Sequence, residues 1–278
     1  MAQTINMCYL SAWMTTISIG MFQFGYSIAM FNIFTKILFY QYQKDGKEVI
    51  HDQDNFNSLV TTVVPLGAAF GAFTGGFLSS FGRRLAVFIL NVIIIAGSSI
   101  TMIFNFYALL LGRLMLGYGA GAFTVISPLF ISETSPEKVA GSMGAINQFM
   151  VTAGIMVADI LGFVVPYEYK KGVDPDGENN LNPEVFTTKI WRIVFIIPAC
   201  LAILQTLLVL FIFRNDTPKF YKQKNDRVAF QRVQELIISE DSSVINKSDL
   251  DVKEEKLEEK VPLSAHCHPL YRYAFIVG

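Results

Sequence analysis

Apolar positions along the chain fall into six long runs, roughly 8–34, 58–80, 85–105, 107–132, 142–166 and 191–213. Each exceeds the ~20 residues that, at a rise of about 1.5 Å per residue, cross a hydrocarbon core of ~30 Å. The pattern predicts an all-α membrane protein with six transmembrane helices. Its polar connections are unequal: "QYQKDGKEVIHDQDNFN", "FGRR", "FNFY", "ETSPEKVAG" and "YEYKKGVDPDGENNLNPEVFTTK". The first run is too long for the apolar core of a signal peptide. It also lacks a basic flank and an A-x-A site, so it reads as the first span. After residue 213 the pattern changes. Residues 214–262 are charged and partly amphipathic, which predicts a linker of short helices with a disordered stretch around "SEDSSVINKSD". Residues 263–278 turn apolar again but are too short to span, and read as the start of a seventh helix.

Composition sharpens this picture. The chain is 52% hydrophobic, with 24 Phe, only 16% charged residues and a net charge of −1. It offers no basic surface for nucleic acid. Charge gathers in the connections and in 214–260, as expected when most of the surface faces a lipid bilayer. The three cysteines, Cys8, Cys200 and Cys267, are odd in number and widely spaced, which argues against a disulfide framework or a zinc site. His51, His266 and His268 lie in polar segments, so neither a metal nor a cofactor is expected. Lys and Arg near the span ends set orientation. Arg83, Arg84, Lys138 and the basic residues after Arg214 favour one side. The expectation is a cytosolic N-terminus, with the Arg83–Arg84 loop and the linker also in the cytosol.

Several membrane functions fail on the residues. "LMLGYGAG" at 114–121 lies inside the fourth run without a pore helix, so it is no carbonyl filter. Gly117, Gly119, Ala120 and Gly121 are read instead as small residues that let helices approach. No run carries regularly repeated arginines, which excludes a voltage sensor. No histidine lies in a span and Asp159 stands alone, so no intramembrane protease site, and no enzyme, is predicted.

"GGFLSSFGRR" resembles the loop between helices two and three of the major facilitator superfamily in its sugar-porter form. "FQFGYSIAMFN", "GRLMLGYGAGAFTVISPLFISETSPEKVAG", "NQFMVTAGIMVADILG", "WRIVFIIPACLAILQ" and "NDTPKFY" resemble, in order, further stretches of facilitative hexose transporters. Together they reach to about residue 225. The resemblance implies the N-terminal half of a major facilitator fold, a 3+3 inverted repeat whose substrate lies between two six-helix halves. It implies a plasma-membrane transporter of hexose-type sugars working by alternating access, with the C-terminal six-helix half as the missing partner. A non-transporting sugar sensor or regulatory half is the alternative.

A sugar needs amide and hydroxyl partners beside aromatic surface. Gln148, Thr152, Ile155 and Asp159 follow helical spacing in the fifth run. By resemblance, Gln148 matches the glutamine that binds hexose hydroxyls, and Phe24, Ile28, Thr124 and Ile155 match cavity-lining positions. The resemblance also implies a gating set of Gly75, Gly82, Arg83, Arg84, Arg113, Glu133 and Asp216, in which arginines pair with carboxylates between helices. Ser79, Ala140 and Asn215 depart from the family pattern, which implies a thinner network. Ser27 stands where proton-coupled relatives carry an aspartate, so facilitated diffusion is expected, with Asp159 as the alternative proton site.

Overall fold

The computed structural model describes residues 4–44, 52–162 and 190–239. They form the helices α1 (Met7–Lys44), α2 (Gln53–Ser80), α3 (Arg83–Thr101), α4 (Phe106–Thr134), α5 (Glu137–Gly162), α6 (Ile190–Phe211), α7 (Pro218–Gln223) and α8 (Arg227–Ile237). The helices α2 to α6 carry windows of mean hydropathy between 1.4 and 2.7 and are long enough to cross a membrane. With 38 residues, α1 is about 57 Å long, far more than a bilayer core requires.

α4 is the hub of one side of the bundle. It packs on α2 through glycines on both helices. A Cβ on Gly71 would collide with the Tyr118 carbonyl, one on Gly117 with the Val64 carbonyl, and one on Gly121 with the Ala68 backbone. In lipid there is no hydrophobic drive between helices, so close backbone approach supplies the attraction. The small residues predicted from 114–121 have this role. α1 takes the same close approach to α5: Gly25 lies against the Val151 backbone and Gly154 against Phe22 and Tyr26.

The polar residues of α1 point inward. Tyr26 Oη donates to the Val194 carbonyl (2.9 Å). Gln205 Nε2 donates to the Thr16 (3.0 Å) and Ile17 (3.1 Å) carbonyls, which ties α6 to α1. Ser98 of α3 donates to the Phe195 carbonyl of α6. Such interhelical bonds in membranes average about 0.6 kcal/mol, so they fix register more than they hold the bundle together. Two helices remain poorly covered. α2 exposes Phe70, Phe73 and Phe77, and α5 exposes Phe149, Met156 and Ile160.

Helix ends differ from the hydrophobic runs. α1 continues ten residues past the predicted end at 34, through "TKILFYQYQK". Its extension is paid for by tertiary contacts: Trp191 Nε1 donates to Gln41 (3.0 Å), and Tyr42 stacks on Phe104 with centroids 4.4 Å apart. α2 starts earlier, at Gln53, because Asp52 caps it by accepting the Asp54 N–H (3.1 Å). α5 also starts earlier, at Glu137, so only Ser135 and Pro136 separate it from α4. The predicted end of the fifth run at 163–166, the linker beyond 239 and the seventh-helix start at 263–278 lie outside the described residues.

Candidate functional site

Two groups of the predicted residues assemble, at different places. The first is a face shared by α1, α4 and α5. The glycine contacts set residues 22–26 of α1 beside 151–154 of α5, and Gly20 against Phe123 of α4. Beneath this face, Asn147 Oδ1 accepts from Ser18 Oγ of α1 (2.6 Å) and from Ser127 Oγ of α4 (2.8 Å). That bridge ties three helices with one amide and fixes how α5 is rotated. Successive helical residues differ by about 100°, so burying Asn147 turns its neighbour Gln148 outward.

Gln148, Thr152 and Asp159 are exposed, Ile155 and Ile28 are 38% and 41% exposed, and Phe24 and Thr124 are half-buried. The face therefore presents an amide beside apolar and aromatic surface. Two hydroxyls are already engaged: Thr152 donates to the Gln148 carbonyl (3.1 Å) and Thr124 to the Gly121 carbonyl (2.7 Å). They remain available to a ligand only as acceptors.

The second group lies where α2, α3, α4 and α7 meet. Gly82 precedes α3 with φ of 141°, a conformation open to glycine and strained for other residues. The turn places Arg83 as the first residue of α3, aimed at the end of α4. Its Nε and Nη2 reach the two Glu133 oxygens at 2.9 and 2.8 Å, a bidentate pair with side chains 6% and 3% exposed. Thr217 Oγ1 donates to Glu133 (2.8 Å), and the exposed Lys219 lies 3.7 Å from the same carboxylate. Asp216 accepts the backbone N–H groups of Arg84 (3.2 Å) and Thr217 (2.8 Å). Burial pushes the Asp216 carboxyl above its ordinary range, while those two N–H groups and the Arg83 charge pull it down and Glu133 adds to the rise.

The residues expected to gate thus divide. Arg83, Arg84, Glu133 and Asp216 converge, with Gly82 shaping the turn. Gly75 sits upstream on α2, where an added Cβ would lie 3.1 Å from the Ala122 carbonyl of α4. Arg113 is not joined to them. It lies twenty residues before Glu133 on α4, about 30 Å away along the axis. There its guanidinium stacks on the Phe31 ring, 3.2 Å from the centroid, while Nε and Nη1 have no hydrogen-bond partner among the described residues. Ser27 of α1 is buried, and the gap left by an aspartate at that position is not filled by another acid on α1.

The family described as "Sugar (and other) transporter" matches residues 13–268. The chain belongs to this sugar transporter family. It is 28% identical over 272 residues to "Hexose transporter 1" of Toxoplasma gondii, covering 94% of this chain and 47% of that protein. Against "Hexose transporter 1" of Plasmodium falciparum it is 27% identical, covering 94% and 52%. The fold matches a structure of the proton:xylose symporter XylE bound to 6-bromo-6-deoxy-D-glucose, with a TM-score of 0.67 and 19% identity over 84% of this chain and 50% of that one. It also matches inward-open XylE from E. coli, with a TM-score of 0.62 and 19% identity over 82% and 55%. The chain spans about half the length of the curated relatives it matches, and its helices form a six-helix half of the major facilitator fold.

Three contributors to these two groups escaped sequence reading. Asn147 stands beside Gln148, and nothing local says which amide faces in. Thr217 and Lys219 join Glu133 from a segment read as linker. "TPKFY" did carry a signal: Thr217 before Pro218 is a helix cap followed by a first-turn proline, and its hydroxyl accepts the Phe220 N–H (3.4 Å).

Proposed function

We propose that this chain forms the gate-bearing half of a hexose transporter, in which sugar binds on the α1–α4–α5 face and moves by alternating access down its own gradient. The observation that carries this reading is the outward-turned Gln148 amide, beside Phe24, Ile28 and Ile155, on a face fixed by the Asn147 bridge. The names of the relatives support hexose as the substrate class. A second six-helix half would cover the face and close the cavity.

Gln148 gives the direct test. If it bonds a sugar hydroxyl, Gln148→Leu weakens sugar affinity by about 1–3 kcal/mol, the scale of a lost bond that leaves its partner unpaired. Folding should be unaffected, because the side chain is exposed. Sugar binding and melting temperature are compared in the transporter formed with a second six-helix half. Unchanged affinity with lowered stability would reassign Gln148 to helix packing.

Facilitated diffusion rests on Ser27, which cannot carry a proton where symporters of the family hold an aspartate. Uptake of a non-metabolised hexose should stop at the outside concentration and ignore protonophores. Accumulation above that level would sink this part of the reading and turn attention to Asp159.

By the family resemblance we place the protein in the plasma membrane, and the Lys and Arg bias at the span ends puts its N-terminus and the Arg83–Glu133 pair in the cytosol. In a background with Cys8, Cys200 and Cys267 replaced, an impermeant thiol reagent should label Asp176→Cys in intact cells and spare Glu137→Cys. The opposite pattern would invert the topology.

A further inference from the structure

A cavity of about 390 Å³ lies between α3 and α6, apart from the α1–α4–α5 face. Its mouth holds Arg84 and Arg214, and its walls are chiefly apolar. Phe88 of α3 and Leu210 of α6 line it and are each 40% exposed, so the slot opens sideways, toward lipid. Deeper along the slot, Asn91 is fully buried and neither atom of its amide has a hydrogen-bond partner among the described residues. The Thr206 hydroxyl, also lining the slot, is buried and likewise has no partner among the described residues. Such groups are rarely left without partners in a folded protein. Two of them on one cavity, below two arginines, describe a site built for a ligand with polar groups at two depths.

Asn91 lies seven residues past Arg84, about 10 Å along the axis. Its side chain leans back toward the start of α3 and hence toward the arginine mouth. A ligand filling the slot needs an anionic head, an acceptor a few bonds below it, and an apolar remainder. Asp216 also borders the mouth, so the two arginines leave a net charge of +1 there. A phosphodiester with a single negative charge complements it. Sugars lack the charge and the apolar part, and a free phosphate cannot reach Asn91.

We propose that the slot between α3 and α6 binds a membrane glycerophospholipid, its phosphate held between Arg84 and Arg214 and an ester carbonyl accepting from Asn91. The lateral opening admits the acyl chains from the bilayer without passage through water.

The test uses the full chain in nanodiscs of phosphatidylcholine with or without phosphatidylglycerol, read by melting temperature and by lipid retained in native mass spectrometry. Phosphatidylglycerol should raise the melting temperature of the wild type and remain bound after mild delipidation. Arg214→Gln, at an exposed residue, should lower the retained fraction about tenfold, the scale of a lost charged hydrogen bond. Asn91→Leu should melt higher than wild type in pure detergent, because its unpaired amide is gone, and should gain less from added lipid. A packing role for Asn91 predicts the reverse. Arg192→Gln, at the other end of α6, should leave retention unchanged. Equal retention by wild type and Arg214→Gln would overturn the proposal. So would equal protection by inorganic phosphate, or an Asn91→Leu protein whose lipid response matches wild type.

Discussion

Glu133→Ala should lower the unfolding free energy of the chain by about 3–5 kcal/mol, the cost of leaving one member of a buried ion pair without its partner. The estimate applies because both side chains are almost fully enclosed and the pair is bidentate. Removing the carboxylate strands the Arg83 guanidinium and also frees the Thr217 hydroxyl. Glu133→Gln should cost less, since an amide oxygen still accepts from Arg83 or Thr217. Lys219→Ala should be nearly neutral, because at 3.7 Å and 59% exposure its attraction is screened by water. Melting of the four proteins in one lipid mixture gives the ranking. A Glu133→Ala protein within about 1 kcal/mol of wild type would show that the pair contributes no more than a surface contact.

Gly154→Val should be nearly as damaging, at about 3 kcal/mol, the upper end of overpacking costs. A Cβ at Gly154 would overlap the Phe22 carbonyl and come within 2.9 Å of the Tyr26 nitrogen. These are backbone atoms, which no rotamer change can remove, so α5 must move off α1. That shift would pull Asn147 away from Ser18 and rotate Gln148, and sugar affinity should fall together with stability. Gly154→Ala should show the same losses in smaller measure. If Gly154→Val loses stability while retaining wild-type affinity, the α1–α5 crossing does not position the binding face.

The hydrophobic pattern located the spans well because lipid imposes a long, unbroken requirement on each of them. It located their ends poorly. α1 runs on to Lys44 because Trp191 and Phe104, distant in sequence, meet Gln41 and Tyr42. No local window contains that information. The site was legible in part. Arg83 and Glu133 were expected to pair, and in the structure they meet, whereas Arg84 reaches Asp216 only through its backbone N–H and turns its side chain to the Val209 carbonyl. Arg113 was grouped with them because it is also an arginine in a resembling motif, yet α4 is rigid and holds it some 30 Å away. The direction of α5 was legible only as a stripe. Which of two adjacent amides enters the core depends on Ser18 and Ser127, residues on other helices.

The inward polarity of α1 also bears on how the protein is made. α1 is synthesised before every helix to which it bonds. Ser18 waits for Asn147, the Thr16 carbonyl for Gln205, and Tyr26 for the Val194 carbonyl. While those later segments are still on the ribosome, α1 holds an uncovered polar stripe inside the bilayer, where unpaired polar groups are costly. The helix around which the others are arranged is therefore the last to be completed. Its hold on the membrane during translation depends on segments of the message not yet read.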